Sequence, residues 1–237
     1  MSLSSTVATA GKRIIAIRHS TTECNEALSL VPWGSPGFRD PQLFDTKLST
    51  AGLALAEGVH QKLRQKRLRV DFANVELVCA SPLTRALDTA DILLRDGVLL
   101  PNVPRLAQPL LRERLYLASD VGQPRSALAA KYAAWDFSLL PHNDAAWWYT
   151  QLPSLTGGAA VPEWRPKGTY VCPGEPQDVF HERVADLKQW ILSRPEKEIM
   201  IVAHWGLLRG LFGLNAENCG IHVLSCADFL PHPPLDC

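Results

Sequence analysis

The sequence predicts an α/β fold: three α/β/α layers around a mostly parallel central sheet. Three observations carry this. Apolar runs of strand length stand at about 13–18, 75–79 and 198–203. Helical patterns alternate with them, the order that builds parallel strands through crossover helices. Hydrophobic residues make up 46% of the 237, ample for a large core.

The elements follow in chain order. Residues 1–12 read as a flexible arm. Ile14-Ile15-Ala16-Ile17 reads as a buried strand that ends at Arg18-His19. Ser49 or Thr50 can cap a helix reaching about Leu68, with Leu53, Ala56, Val59 and Leu63 at helical spacing. Lys62, Arg64, Lys66 and Arg67 enrich its last turns, where the helix dipole favours cations. After the second apolar run, Ser81-Pro82 reads as a helix start, because serine caps and proline fits the first helical position. Leu83, Leu87, Ala90 and Leu94 would share one face of that helix. A further helix, about 176–193, carries Phe180, Val184, Leu187 and Ile191 at spacings of four, three and four. The last strand, Ile199-Met200-Ile201-Val202, runs into Ala203-His204. One domain over 13–230 and an extended proline-rich tail over 231–237 complete the reading.

The stretch from about 118 to 173 reads as an aromatic-rich insertion, helical near 124–135. It holds Trp135, Trp147, Trp148, Tyr149, Trp164 and Gly157-Gly158, and its charges balance. Such a segment serves as a lid or binding loop. Alternatively, its tryptophans pin a long excursion onto the body.

Net charge is zero, and no basic stripe marks a nucleic-acid partner. No apolar run reaches the roughly 18 residues of a membrane span. The first eleven residues lack a secretory-signal pattern. The six cysteines form neither a C-x-x-C pair nor a zinc-site spacing, so free thiols in a reducing, cytoplasmic setting are expected, with no metal and no cofactor.

Ligands of open α/β sheets gather beyond the carboxyl ends of the strands. His19 and His204, 185 positions apart, are therefore expected at one sheet edge. Arg18 and Arg85 offer planar forks that can each hold two phosphoryl oxygens, and His204 can donate a third contact. Cations so close keep a histidine neutral, and a neutral imidazole can attack phosphorus. His60, His142, His181, His222 and His232 lack motif support and read as structural.

Together these islands resemble the histidine phosphatase superfamily, also called phosphoglycerate-mutase-like. Arg18-His19-Ser20 is similar to its Arg-His-Gly signature, with Thr22 and Asn25 spaced as in the family. Asp45 to Gly52 looks like its Leu-Ser-x-x-Gly helix entrance, and Ser81 to Ala90 is similar throughout. Pro173-Gly174-Glu175 with Arg183 resembles its Gly-Glu-Ser segment, and Ala203 to Arg209 its last motif. The resemblance covers about 13–117 and 172–213. It implies transient phosphorylation of His19. Glu113, between Arg112 and Arg114, would deliver a proton to the leaving oxygen and then deprotonate the water that hydrolyses phosphohistidine. Thr22 and Asn25 would order the pocket loop or touch the phosphate, and Arg209 would pack beneath the site.

Two positions depart from the family pattern. Ser20 replaces a glycine, and its hydroxyl is expected as an extra phosphate donor. Trp205 replaces another and would wall the pocket. The mutase branch's Arg-His-Tyr-Gly after the glutamate is Arg114-Leu115-Tyr116-Leu117 here, and no Arg-Arg pair follows through 173. The expected substrate is thus a small phosphomonoester with an apolar or aromatic portion; a phosphoprotein ester falls within the same chemistry. A mutase-type phosphotransferase and a catalytically impaired phospho-ligand or protein-binding module are the alternatives.

Overall fold

The computed structural model describes residues 11–31, 35–36, 38–148 and 175–234. Strand β1 (Arg13–Arg18) leads to helices α1 (Glu23–Leu30) and α2 (Thr50–Arg64). Strand β2 (Leu77–Ala80), helix α3 (Thr84–Leu93) and strand β3 (Arg105–Ala107) follow. Then come α4 (Arg125–Lys131), α5 (Gln177–Ser193), β4 (Glu198–Ala203), α6 (Trp205–Phe212) and β5 (Ile221–Ser225). The sheet order is β3-β2-β4-β1-β5. The first four strands run parallel and β5 pairs antiparallel with β1.

Both sheet faces are covered, which explains the uninterrupted apolar runs. Ile15, Ile17, Val78, Ala80, Met200 and Val202 point into one core, with Leu83, Leu87, Ala90 and Leu93 of the α3 segment. Ile14, Ala16, Leu77, Cys79, Ile199 and Ile201 point into the other, with Phe180, Val184, Leu187 and Ile191 of α5 and three leucines of α6. Each fully buried aliphatic side chain contributes roughly 1.5–3 kcal/mol. The expected three layers are present.

Several expectations need adjustment. Helix α2 stops at Arg64, and Leu53 on it is 48% exposed while His60 is buried. Its inward stripe is Gly52-Ala56-His60, chosen by close approach: a Cβ at Gly52 would meet the Thr21 carbonyl oxygen at 1.8 Å. His60 Nδ1 lies 3.2 Å from the Leu93 carbonyl and its Nε2 3.4 Å from Asp96, a structural setting. Helix α3 begins at Thr84, not at Ser81-Pro82. Ser81 Oγ accepts from the Leu83 amide in a turn, and the first helical turn is held instead by Asp45, which accepts the Thr84 amide and hydroxyl.

Trp135, Trp147 and Trp148 are buried in the first core. Trp135 donates to Asp91 and Trp147 to the Gln123 carbonyl. Tyr149, Gly157-Gly158, Trp164 and Pro173-Gly174 lie outside the described residues, as do residues 1–10 and 235–237. Among the described residues no helix is long and apolar enough to cross a membrane. Cys24, Cys79, Cys219 and Cys226 are free thiols.

Candidate active site

Register places the two histidines. Arg18 pairs with Ala203 at the carboxyl ends of β1 and β4, and the His19 amide donates to the Ala203 carbonyl at 2.9 Å. The next residue of each strand is a histidine, and their ring centroids stand 5.0 Å apart. The Ser81 amide bonds the Val202 carbonyl, which brings the start of α3, and with it Arg85, to the same edge.

Hydrogen bonds assign both tautomers. His19 Nδ1 lies 2.7 Å from the Ser20 carbonyl oxygen, which can only accept, so Nδ1 carries the proton and Nε2 keeps its lone pair. His204 Nδ1 receives the Arg85 Nε–H at 3.2 Å, which puts the His204 proton on Nε2. That Nε2 is buried and has no hydrogen-bond partner among the described residues; the same holds for Arg18 Nε. Burial, then Arg85 and then other neighbours including Arg18, push both imidazoles well below their ordinary value. The site thus holds a neutral imidazole nitrogen with its lone pair beside donors that have no partner among the described residues.

Glu113 faces these groups. Its Oε1 accepts the Arg114 amide at 2.9 Å and its Oε2 the Gly206 amide at 3.0 Å, in the first turn of α6. Burial, and next the charge of Asp120, raise its carboxyl above the usual range, with the two amides pulling the other way. The flanking arginines form no surface network. Arg112 and Arg183 donate to the Glu175 carboxylate at 2.6–2.9 Å. Arg114 Nε donates to the Glu175 carbonyl and Arg114 Nη1 to Gln177. Arg112, buried beside Arg183, is pushed down to about 9.

Arg85 makes three contacts: Nε to His204, Nη1 to the Ser119 carbonyl and Nη2 to Asp120 Oδ1 at 2.9 Å. A guanidinium has five N–H donors, so one on each terminal nitrogen remains. Thr22 and Asn25 form the capping box of α1: each backbone amide donates to the other's side-chain oxygen. Asn25 Oδ1 is thereby used, and its amide nitrogen keeps its two donors.

A cavity of about 480 Å³ opens over this edge, lined by Arg18, His19, Thr22, Asn25, Arg85, Glu113 and Asp120 on the polar side. Leu28, Tyr116, Leu117 and Trp205 supply apolar wall. Trp205 Nε1 donates to Asn215, and Arg209 lies over its ring at 5.4 Å. Of the expected residues, Ser20 departs. Its hydroxyl proton goes to the Gly52 carbonyl at 2.7 Å, away from the cavity, so it is no extra phosphate donor.

Sequence reasoning passed over Asp120 and Gly206. Asp120 carries no motif and stands in the 118–173 stretch whose charges balance. Gly206 had a signal in its place two residues after His204. A Cβ there would stand 2.6 Å from Glu113 Oε1. Among the described residues no group of three or more His, Cys, Asp or Glu is placed to hold a metal ion.

No family model matches the sequence, and no curated protein does. Solved structures do. The ecdysone phosphate phosphatase of Bombyx mori, in complex with tungstate, superposes with a TM-score of 0.55 at 16% identity, over 94% of each chain. A phosphoglycerate mutase of Bacillus anthracis str. Sterne gives 0.51 at 15% identity, over 91% of this chain and 88% of that one. The chain therefore has the phosphoglycerate-mutase-like fold that these two proteins share.

Proposed function

We propose that the protein is a phosphomonoesterase of the histidine phosphatase superfamily that works through a phosphohistidine on His19. The observation that carries this reading is the tautomer pair: a neutral His19 with its lone pair on Nε2, beside a His204 whose buried Nε2–H has no partner among the described residues. His19 Nε2 attacks phosphorus as the ester P–O bond breaks, and Glu113 protonates the leaving oxygen. Arg18, Arg85 and His204 Nε2–H hold the phosphoryl oxygens, with the Asn25 amide at the edge. Water then attacks phosphohistidine, Glu113 takes its proton, and the P–N electron pair returns to Nε2. A raised Glu113 carboxyl suits the proton-donor role.

Fixed arginines supply the charge that a metal would otherwise bring. The apolar wall of Leu28, Tyr116, Leu117 and Trp205 favours a leaving group with an apolar or aromatic portion. The phosphatase in the Bombyx mori structure is named for an ecdysone phosphate, which fits this leaning. A cytoplasmic setting accords with the free thiols. One observation favours a mutase instead: Arg114 lines the cavity and could meet a second anionic group.

The deciding experiment is hydrolysis of an aryl phosphate with chelator present, for the wild type and His19→Ala. Turnover in the wild type, lost in the variant, is expected, with 32P from a labelled substrate trapped on His19 by an alkaline quench of the first turnover and released by acid, as a P–N bond requires. Chelator-sensitive turnover, or turnover surviving His19→Ala, would overturn the reading. Isomerisation of a phosphorylated sugar acid faster than its hydrolysis would favour the mutase.

A further inference from the structure

Among the described residues lining the cavity, Asp120 is the only carboxylate besides Glu113, and its side chain is 7% exposed. A buried carboxylate at a phosphate site runs against simple charge matching, because it repels the ligand that the arginines attract. Both of its oxygens are bonded. Oδ2 accepts the Tyr116 and Leu117 amides, each at 3.1 Å, and Oδ1 accepts Arg85 Nη2 at 2.9 Å. The turn after Glu113 is thus tied to the arginine of α3. That arginine's Nε–H, in turn, meets His204 Nδ1.

Resting on the phosphatase reading above, we propose that Asp120 is a positioning residue. It aims the Arg85 guanidinium so that Nε–H fixes the His204 tautomer, and it offsets part of the Arg85 charge so that phosphate is held loosely enough to leave. A free guanidinium would turn both terminal nitrogens onto the phosphate, the better geometry for a ground-state dianion. It would then leave His204 Nδ1 without its donor and free the imidazole to change tautomer. Asp120 exchanges ground-state affinity for orientation, the direction in which catalysis gains.

The same carboxylate acts on Glu113. The charged or titratable groups around Glu113 are Arg18 and His19 at the end of β1, Arg85 on α3, Arg114 beside it, His204 at the end of β4, and Asp120. Of these Asp120 carries the like charge, and it helps raise the Glu113 carboxyl. Glu113 must be protonated to serve the leaving oxygen. Removing the Asp120 charge lowers its pKa, so the alkaline limb of kcat/KM moves to lower pH.

Asp120→Asn, near in size, and Asp120→Ser, which leaves room for water, are compared with the wild type in folded samples checked by thermal unfolding. Inorganic phosphate is the binding probe, read by calorimetry and as an inhibitor of aryl phosphate hydrolysis. In whichever variant folds, phosphate binds several-fold tighter, kcat falls about tenfold through lost alignment, and the alkaline limb shifts down. A merely structural residue would lower kcat through fewer active molecules, leaving phosphate affinity and the limb in place. That pattern, or all three quantities within about twofold of the wild type, overturns the proposal. If the wild type turns over no phosphomonoester, the phosphatase reading fails separately. Calorimetry then decides on Asp120 alone, and unchanged or weaker phosphate binding overturns it.

Discussion

Glu113 and Gly206 fit each other as a carboxylate fits an amide with nothing in the way. Glu113 Oε2 accepts the Gly206 N–H at 3.0 Å, and a methyl group at Gly206 would reach within 2.6 Å of Oε1. Gly206→Ala therefore displaces the proposed proton donor. A displacement of this size far exceeds what near-attack geometry tolerates, so kcat/KM should fall about 100-fold. Stability should hold or rise by up to about 1 kcal/mol, because alanine favours a helix and the obstructed atom is a side-chain end that can yield. Steady-state kinetics with chemical denaturation would show the two moving apart; a parallel fall would count against the fit.

The histidines should leave a signature in acid. Both are held neutral well below the value of 6.5 that they take when unfolded, first by burial and then by Arg85. As pH falls through 6.5, the unfolded chain binds protons that the folded chain refuses. Their contribution to stability is thus present above 6.5 and lost below it. Asp45, Asp120 and Glu113, with raised carboxyls, act in the opposite sense. The comparison must isolate the imidazoles: between pH 7.5 and 5.5 the wild type should lose more stability than His19→Gln/His204→Gln. Catalysis follows the same logic, with the acid limb of kcat/KM well below 6.5. A limb at the ordinary imidazole value would show His19 to be solvated.

Ser20 offers a test of a family departure. Since its hydroxyl serves the Gly52 carbonyl, Ser20→Gly should remove one buried hydrogen bond, about 1 kcal/mol, while phosphate inhibition and kcat stay within about twofold. A phosphate affinity lower by tenfold would return Ser20 to the binding set.

What was legible in the sequence follows from how each signal is written. β1, β2 and β4 are buried on both faces, so each is an apolar run that period alone reveals. β3, three residues with a half-buried arginine, and β5, half exposed throughout, carry no such run. His19 and His204 were placed at one edge because strand ends carry ligands whatever lies between. Arg85 is offered as a phosphate fork by its side-chain chemistry, and the resemblance over Ser81 to Ala90 strengthens that reading. Asp120 and the depth of Glu175 could not be read, because a carboxylate's partner is set by folding rather than by spacing: Arg85 stands 35 positions before Asp120. Leu53 misled because apolar spacing cannot tell a core leucine from an exposed one where the helix must approach through Gly52.

Glu175 is the anchor beneath Glu113, and its loss should cost more than any site residue's. Its carboxylate takes Arg112 and Arg183, its carbonyl takes Arg114, and Arg183 also donates to the Arg112 carbonyl, one residue before Glu113. Burial works to raise the Glu175 carboxyl, yet Arg183, with Arg112 and Arg114, holds it below the ordinary range. Glu175→Gln leaves buried guanidinium charge uncompensated, a loss of roughly 3–5 kcal/mol at neutral pH. The sign follows from the depressed carboxyl: its contribution exists above the unfolded value of 4.5 and is lost as pH falls through the folded one. Urea unfolding of the wild type and Glu175→Gln should show a wide gap at pH 7 that narrows in acid. A gap that stayed constant with pH would mean that Glu175 acts through its shape and not its charge.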